Sequence, residues 1–188
     1  RDSNTFQDFF MRILAGLAGN SSTMIASTLI SIAKLIFEFP NELVDECEMI
    51  LNVVLVFETS TSSNEIIKAA IELIKVIYRS MNLKQFQSHL ERVCKVLVSW
   101  SESKSCFRSA VKNLIVKFVR NYGLETIQSC IPDSYLGVLK HIRKEIAKKA
   151  KEKSSTGKQY ALDSDDEAEF LPEYLQKSLL VHGKSGKL

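Results

Sequence analysis

The chain has 188 residues, 45% of them hydrophobic, with 25 Lys/Arg against 22 Asp/Glu for a formal net charge of +3. That apolar fraction is enough to bury a core and excludes a wholly disordered polyelectrolyte, while the longest unbroken apolar run, near Val53 to Phe57, is far too short to span a bilayer. The charge is unevenly placed: 14 basic and 14 acidic residues through Leu139, 8 basic against 2 acidic from Lys140 to Lys158, then six acids and no base from Asp163 to Glu173, so charged partners are expected mainly toward the C-terminal end.

The chain starts at Arg1 and runs directly into the apolar stretch Phe6 to Leu17, as expected of a segment cut from a longer repeat array whose end faces a neighbour. A first helix is predicted over about Thr5 to Leu17, stopping at Gly16-Leu17-Ala18-Gly19-Asn20, a helix-to-helix turn rather than a nucleic-acid clamp. Ser21 or Ser22 caps the next helix, Ser22 to Phe39, which Pro40 ends; this reading also takes precedence over a glycosylation sequon at Asn20. A helix over Asn41 to Phe57, capped by Asn41, completes a hairpin, and the polar run Glu58 to Ser63 separates it from the next.

From Asn64 to Met81 the apolar residues Ile66, Ile67, Ala70, Leu73, Ile74, Ile77 and Tyr78 form one stripe of a helix. Helices follow over about Leu83 to Trp100 and Ser105 to Asn121, with Tyr122-Gly123 as the stop. A short piece over Glu125 to Cys130 precedes Pro132, and Asp133 or Ser134 caps a last helix from Tyr135 to Lys153 with Leu136, Leu139, Ile142, Ile146 and Ala150 on its apolar side.

The stripe recurs. Ile25, Leu29, Ile32 and Ile36 lie 41 residues before Ile66, Ala70, Leu73 and Ile77, and Phe107, Val111, Leu114 and Phe118 lie 41 after; Leu43, Val54 and Phe57 likewise return at Phe86, Leu97 and Trp100, at a spacing of 43. A period of about 40 to 47 residues holding two helices marks HEAT or armadillo repeats. The predicted fold is all-α, an α-solenoid of HEAT/armadillo-like hairpins over residues 1–153 ending in a basic helix. It is followed by a disordered acidic linker at 154–169, a short apolar docking segment at 170–182 and a flexible end at 183–188.

No catalytic constellation, cofactor loop or metal set stands out. His89, His141 and His182 have no partner at ligand spacing, Cys47, Cys94, Cys106 and Cys130 form no CxxC and read as reduced core thiols, and Cys94 and His89 fall on different sides of one helix. The functional candidate is the basic edge Lys140, Arg143, Lys144, Lys148, Lys149 and Lys151, opposed only by Glu145 and Glu152, which can track a phosphate backbone. Lys104, Arg108 and Lys112 form a weaker edge, and Lys34 and Lys75 occupy equivalent repeat positions. Ser164, followed by Asp165-Asp166-Glu167, suits an acid-directed kinase. Phe170, Leu171, Tyr174, Leu175 and Leu179 give the docking segment one apolar side, to be covered by a groove of the same chain or of a partner.

The run Ala15-Gly16-Leu17-Ala18-Gly19 with Met24-Ile25 and Leu35-Ile36-Phe37-Glu38-Phe39, and the ending Ile131-Pro132-Asp133 before Leu139-Lys140-His141-Ile142-Arg143-Lys144, resemble the ribosomal RNA-processing protein 12 family over roughly residues 10 to 150. Ser134-Tyr135 depart from the family pattern of a further acid and a different ring. The resemblance implies the C-terminal portion of a non-enzymatic HEAT-repeat factor of nucleolus and nucleus, shuttling to the cytoplasm. Such a factor joins precursors of the small ribosomal subunit, supports pre-ribosomal RNA processing and subunit export, and partners assembly proteins and a nuclear-transport GTPase, with no membrane or small-molecule substrate. The alternative is a generic HEAT adaptor, of transport-receptor or coat type, that binds only proteins.

Overall fold

The computed structural model describes residues 2–57, 62–155, 172 and 174–175, with side chains from Asp8 onward as far as Lys148 and at the last three positions. Among the described residues every regular element is a helix. The chain divides into two compact units, Arg1–Asn82 with Leu171–Leu188, and Leu83–Phe170.

In the first unit, α1 (Asp2–Leu14) runs into a 3₁₀ turn at Ala15–Ala18, followed by α2 (Ser22–Glu38), α3 (Pro40–Leu43), α4 (Cys47–Val54) and α5 (Asn64–Ser80). The glycine turn brings backbone against α2: a Cβ on Gly16 would stand 2.4 Å from the Thr28 hydroxyl. Helix starts follow local chemistry, since the Ser21 hydroxyl accepts from the Met24 N–H at 3.4 Å and the Ser63 hydroxyl from the Ile66 N–H at 3.3 Å. Pro40 both follows the end of α2 and opens α3 as its first helical residue, so Phe39 rather than Asn41 holds the cap position.

α5 is the centre of this unit, and it is buried more widely than one stripe. Ala69, Ile71 and Val76 are buried along with Ile66, Ile67, Ala70, Leu73, Ile74, Ile77 and Tyr78, because both α2 and α4 pack against it. Each fully buried Ile or Leu contributes about 1.5–3 kcal/mol, so this helix carries much of the unit's apolar burial. Positions 41 residues apart share this burial: Leu29, Ala70 and Val111, then Ile32, Leu73 and Leu114, then Ile36, Ile77 and Phe118 are all inaccessible. At the first rung Ile66 and Phe107 are buried, but Ile25 is only half-buried, because the first turn of α2 lies at an edge where Met24 is 50% exposed.

The helices expected over 41–57 and 83–100 are each broken. The second unit begins with α6 (Leu83–Gln87) and α7 (Leu90–Ser103), whose starts lie 43 residues after those of α3 and α4. Both breaks are closed by tight i to i+3 bonds, Glu46 N–H to the Leu43 carbonyl at 3.1 Å and His89 N–H to the Phe86 carbonyl at 3.0 Å. Leu43 and Phe86, which lie just before these two breaks and 43 residues apart, are both fully buried.

A 3₁₀ turn at Ser105–Phe107 then leads into α8 (Arg108–Tyr122), α9 (Leu124–Cys130), a second such turn at Asp133–Tyr135 and α10 (Leu136–Ser155). Gly123 ends α8 with φ of 88°, a conformation that costs glycine nothing. Pro132, with no side-chain cap bond, precedes the 3₁₀ turn at the position expected for an Asp133 or Ser134 cap. The Phe86 and Phe118 rings meet at 5.6 Å in this unit's core. Cys47 and Cys94 are core thiols as expected, whereas Cys106 is exposed and Cys130 half-buried.

Candidate nucleic-acid interface

Placement of α10 starts at Tyr135. This ring is buried and its hydroxyl meets Ser101; burial pushes the phenol up from its ordinary value and the Ser101 hydrogen bond pulls it partly back. Ser101 is itself buried, its hydroxyl donating to the Val98 carbonyl at 2.8 Å. From this anchor Leu139 and Ile142 turn inward and are buried, while Lys140, Arg143, Lys144 and Lys148 are exposed. Lys140, Lys144 and Lys148 follow at intervals of four, about 6 Å of helix each, so they line one edge with Arg143 beside it.

Glu145 lies within this basic run but is engaged elsewhere. Lys112 of α8 donates to its carboxylate at 2.7 Å and His141 Nε2 lies 3.2 Å from the same oxygen. Nothing in the sequence pairs residues 33 apart, although Lys112 was legible as part of a second basic edge. That second edge is turned to structural use: Arg108 Nε donates to the Ser101 carbonyl at 3.4 Å. The described part of the edge therefore offers four exposed cations with its nearest acid compensated from α8. The side chains of Lys149 and Lys151, and Ser164, Phe170, Leu171 and Leu179, lie outside the described residues.

In the first unit, Tyr174 and Leu175 are described, with Leu175 1% exposed. The two repeat-equivalent lysines differ: Lys34 is exposed with its ammonium 5.4 Å from the Tyr174 ring centroid, while Lys75 is half-buried with its pKa lowered by burial, an effect Glu72 opposes. Among the described residues no three His, Cys, Asp or Glu side chains gather where they could hold a metal ion, and no helix is long and apolar enough to cross a membrane.

No family model matches the chain. Individual relatives do. The RRP12-like protein of Gallus gallus is 30% identical over 162 residues, 85% of this chain, and the ribosomal RNA-processing protein 12 of Saccharomyces cerevisiae is 31% identical over 143 residues, 76% of this chain. A putative ribosomal RNA-processing protein 12 of Schizosaccharomyces pombe is 29% identical over an alignment covering 97% of it. The chain belongs to the ribosomal RNA-processing protein 12 family. It spans 12% of the length of the chicken and budding-yeast relatives, so it corresponds to a small part of a typical family member. Among the described residues, this family member presents a basic helix edge on α10 and has only helices as regular elements.

Proposed function

We propose that this chain is a non-enzymatic, HEAT-like scaffold segment that serves ribosomal RNA processing in ribosome biogenesis, and that the α10 edge holds pre-ribosomal RNA by its phosphates. The carrying observation is the exposure of Lys140, Arg143, Lys144 and Lys148 beside a Glu145 already engaged by Lys112. The names of the relatives supply the ribosomal RNA context, and the recurrence of burial at 41-residue intervals supports the solenoid. Four phosphate contacts on a single strand give a salt slope of about −3, so affinity falls about 50-fold between roughly 50 and 200 mM salt. Lys149 and Lys151 extend the same edge in this reading.

The family resemblance extends the proposal to small-subunit assembly and export in the nucleolus and nucleus. Assembly proteins and a nuclear-transport GTPase are the proposed partners, and Ser164 is a phosphorylation site that deepens the acidic stretch. Ultraviolet crosslinking of the chain within pre-ribosomal particles tests the central claim. Crosslinks should map to residues 140–151 and fade with salt. Particles that retain the chain with no crosslink there would favour a protein-only adaptor instead.

A further inference from the structure

α3 and α4 leave an apolar strip in solvent. α4 buries Cys47, Ile50, Leu51 and Val54, but Met49 and Val53, four apart and so neighbours along its outer side, are 41% and 40% exposed. Val56 follows in the closing turn, its N–H donating to the Val53 carbonyl at 3.2 Å, and is 66% exposed. Acidic side chains accompany the strip: Glu42, Asp45 and Glu48 are exposed. Seven acidic residues and no Lys, Arg or His lie between Lys34 and Lys68 in the sequence, so every charge that these two helices carry is negative.

The segment 43 residues further on folds alike with a different exterior. Leu43, Ile50 and Val54 correspond in spacing to Phe86, Val93 and Leu97, and all six are fully buried. Outside, Met49 and Val56 give way to Arg92 and Ser99, and Glu42 and Asp45 to Gln85 and Ser88, each of them exposed. A kinked helix pair of this kind therefore folds without exposed aliphatic residues and without a cluster of acids. Packing does not account for either on α3 and α4, and an exposed apolar patch with charged borders is the mark of an interaction surface.

We propose that the outer face of α3 and α4 is a docking surface for a basic amphipathic helix of another protein. Aliphatic residues three or four apart on that helix cover Met49, Val53 and Val56, and Lys or Arg residues on its flanks meet Glu42, Asp45 and Glu48, as in recognition of a helix by its apolar side with complementary charges setting its orientation. The sign of the charge excludes nucleic acid as the occupant. A second copy of this chain is a poor fit, because its own basic helix turns Leu139 and Ile142 into the body it belongs to, where both are buried. The α10 edge plays no part in this docking, so the RNA reading stands or falls separately.

The test uses the full chain with a fluorescent helix-forming peptide of about 16 residues, Leu along one side and Lys on both flanks. Wild type should bind this peptide about tenfold more tightly than a chain with Met49→Arg and Val56→Ser, through the loss of apolar contact. Glu42→Gln with Asp45→Ser should weaken binding about threefold at low salt, a difference that vanishes at roughly 500 mM salt. A peptide with Ser in place of Leu should bind no better to wild type than to the Met49→Arg, Val56→Ser chain. Equal wild-type affinity for the Leu and Ser peptides would leave only diffuse attraction between opposite charges and overturns the proposal, as does a Leu peptide that binds all three chains alike. Wild-type self-association in the ultracentrifuge, lost both in that variant and in Lys144→Glu with Lys148→Glu, assigns the face to a second copy and overturns it too. Should the double substitution disturb the circular dichroism spectrum, Val56→Ser alone, at the most exposed of the three positions, replaces it with a smaller loss expected and the same outcome overturning the proposal.

Discussion

Lys112 of α8 donates to the Glu145 carboxylate of α10 at 2.7 Å, removing from the basic edge the acid that its sequence places there. The pair is partly exposed, 29% and 41% at the two side chains, so its worth to stability is small, about 0–1 kcal/mol. Its larger effect is on the field along α10. Glu145→Gln should therefore leave the melting temperature nearly unchanged while strengthening RNA binding and steepening its salt dependence, because it removes a negative charge beside the edge and releases Lys112 from its carboxylate. A filter-binding salt series on the two proteins measures this; weaker binding by Glu145→Gln would argue against the edge.

Charge reversal along the edge should act in the opposite direction. Lys144→Glu with Lys148→Glu should lower RNA affinity at low salt and reduce the magnitude of the salt slope by about 1.5, from the loss of two phosphate contacts. Both side chains are exposed, so circular dichroism should show an unaltered fold. Identical slopes for mutant and wild type would remove these lysines from the interface.

Ile74 is fully buried on α5. Ile74→Asp places an unpaired charge there, at several kcal/mol, against a total stability for a typical domain of about 5–15 kcal/mol. Loss of the cooperative melt of the first unit is expected. An unchanged melting temperature would mean that α5 is not central to it.

The cysteines should differ sharply in reactivity. Burial, helped by the nearby Glu46 and Asp45 carboxylates, pushes the Cys47 thiol up to about 12, and burial raises Cys94 further. At pH 8 the Cys47 thiolate is on the order of one part in 10⁴. Iodoacetamide followed by mass spectrometry should therefore modify the exposed Cys106 first, with Cys47 and Cys94 reacting only on unfolding. Because the folded pKa of Cys47 lies above its ordinary 9.0, the stability from its neutral burial is complete below about pH 9 and is lost as pH rises toward 12.

Gly123→Ala should destabilise the second unit by about 1–3 kcal/mol, since φ of 88° with ψ of 156° is a backbone region held almost only by glycine. No atom lies within 4 Å of the added carbon, so the cost is backbone strain alone. A denaturant midpoint shifted without a change in slope is the expected signature; a variant as stable as wild type would mean that the turn relaxes.

The positions of α2, α5 and α8, the Ser21 cap, the Gly123 stop and the recurring buried rungs from Leu29 to Phe118 were determined by the sequence alone, because helix formation and capping depend on residues three or four apart. The exposed side of α10 was legible for the same reason. Other features were decided only by tertiary structure. The width of burial on α5 depends on both α2 and α4 packing against it, and no stripe on α5 itself encodes how many neighbours it meets. The kinks before Cys47 and Leu90 carry no proline or glycine to announce them. The Lys112–Glu145 pair joins residues 33 apart, and the Lys34–Tyr174 contact joins α2 to the C-terminal segment across most of the chain. Both depend on where packed helices bring the chain together, and charge partners at such separations are set by the packing of intervening apolar faces, not by the charged residues themselves.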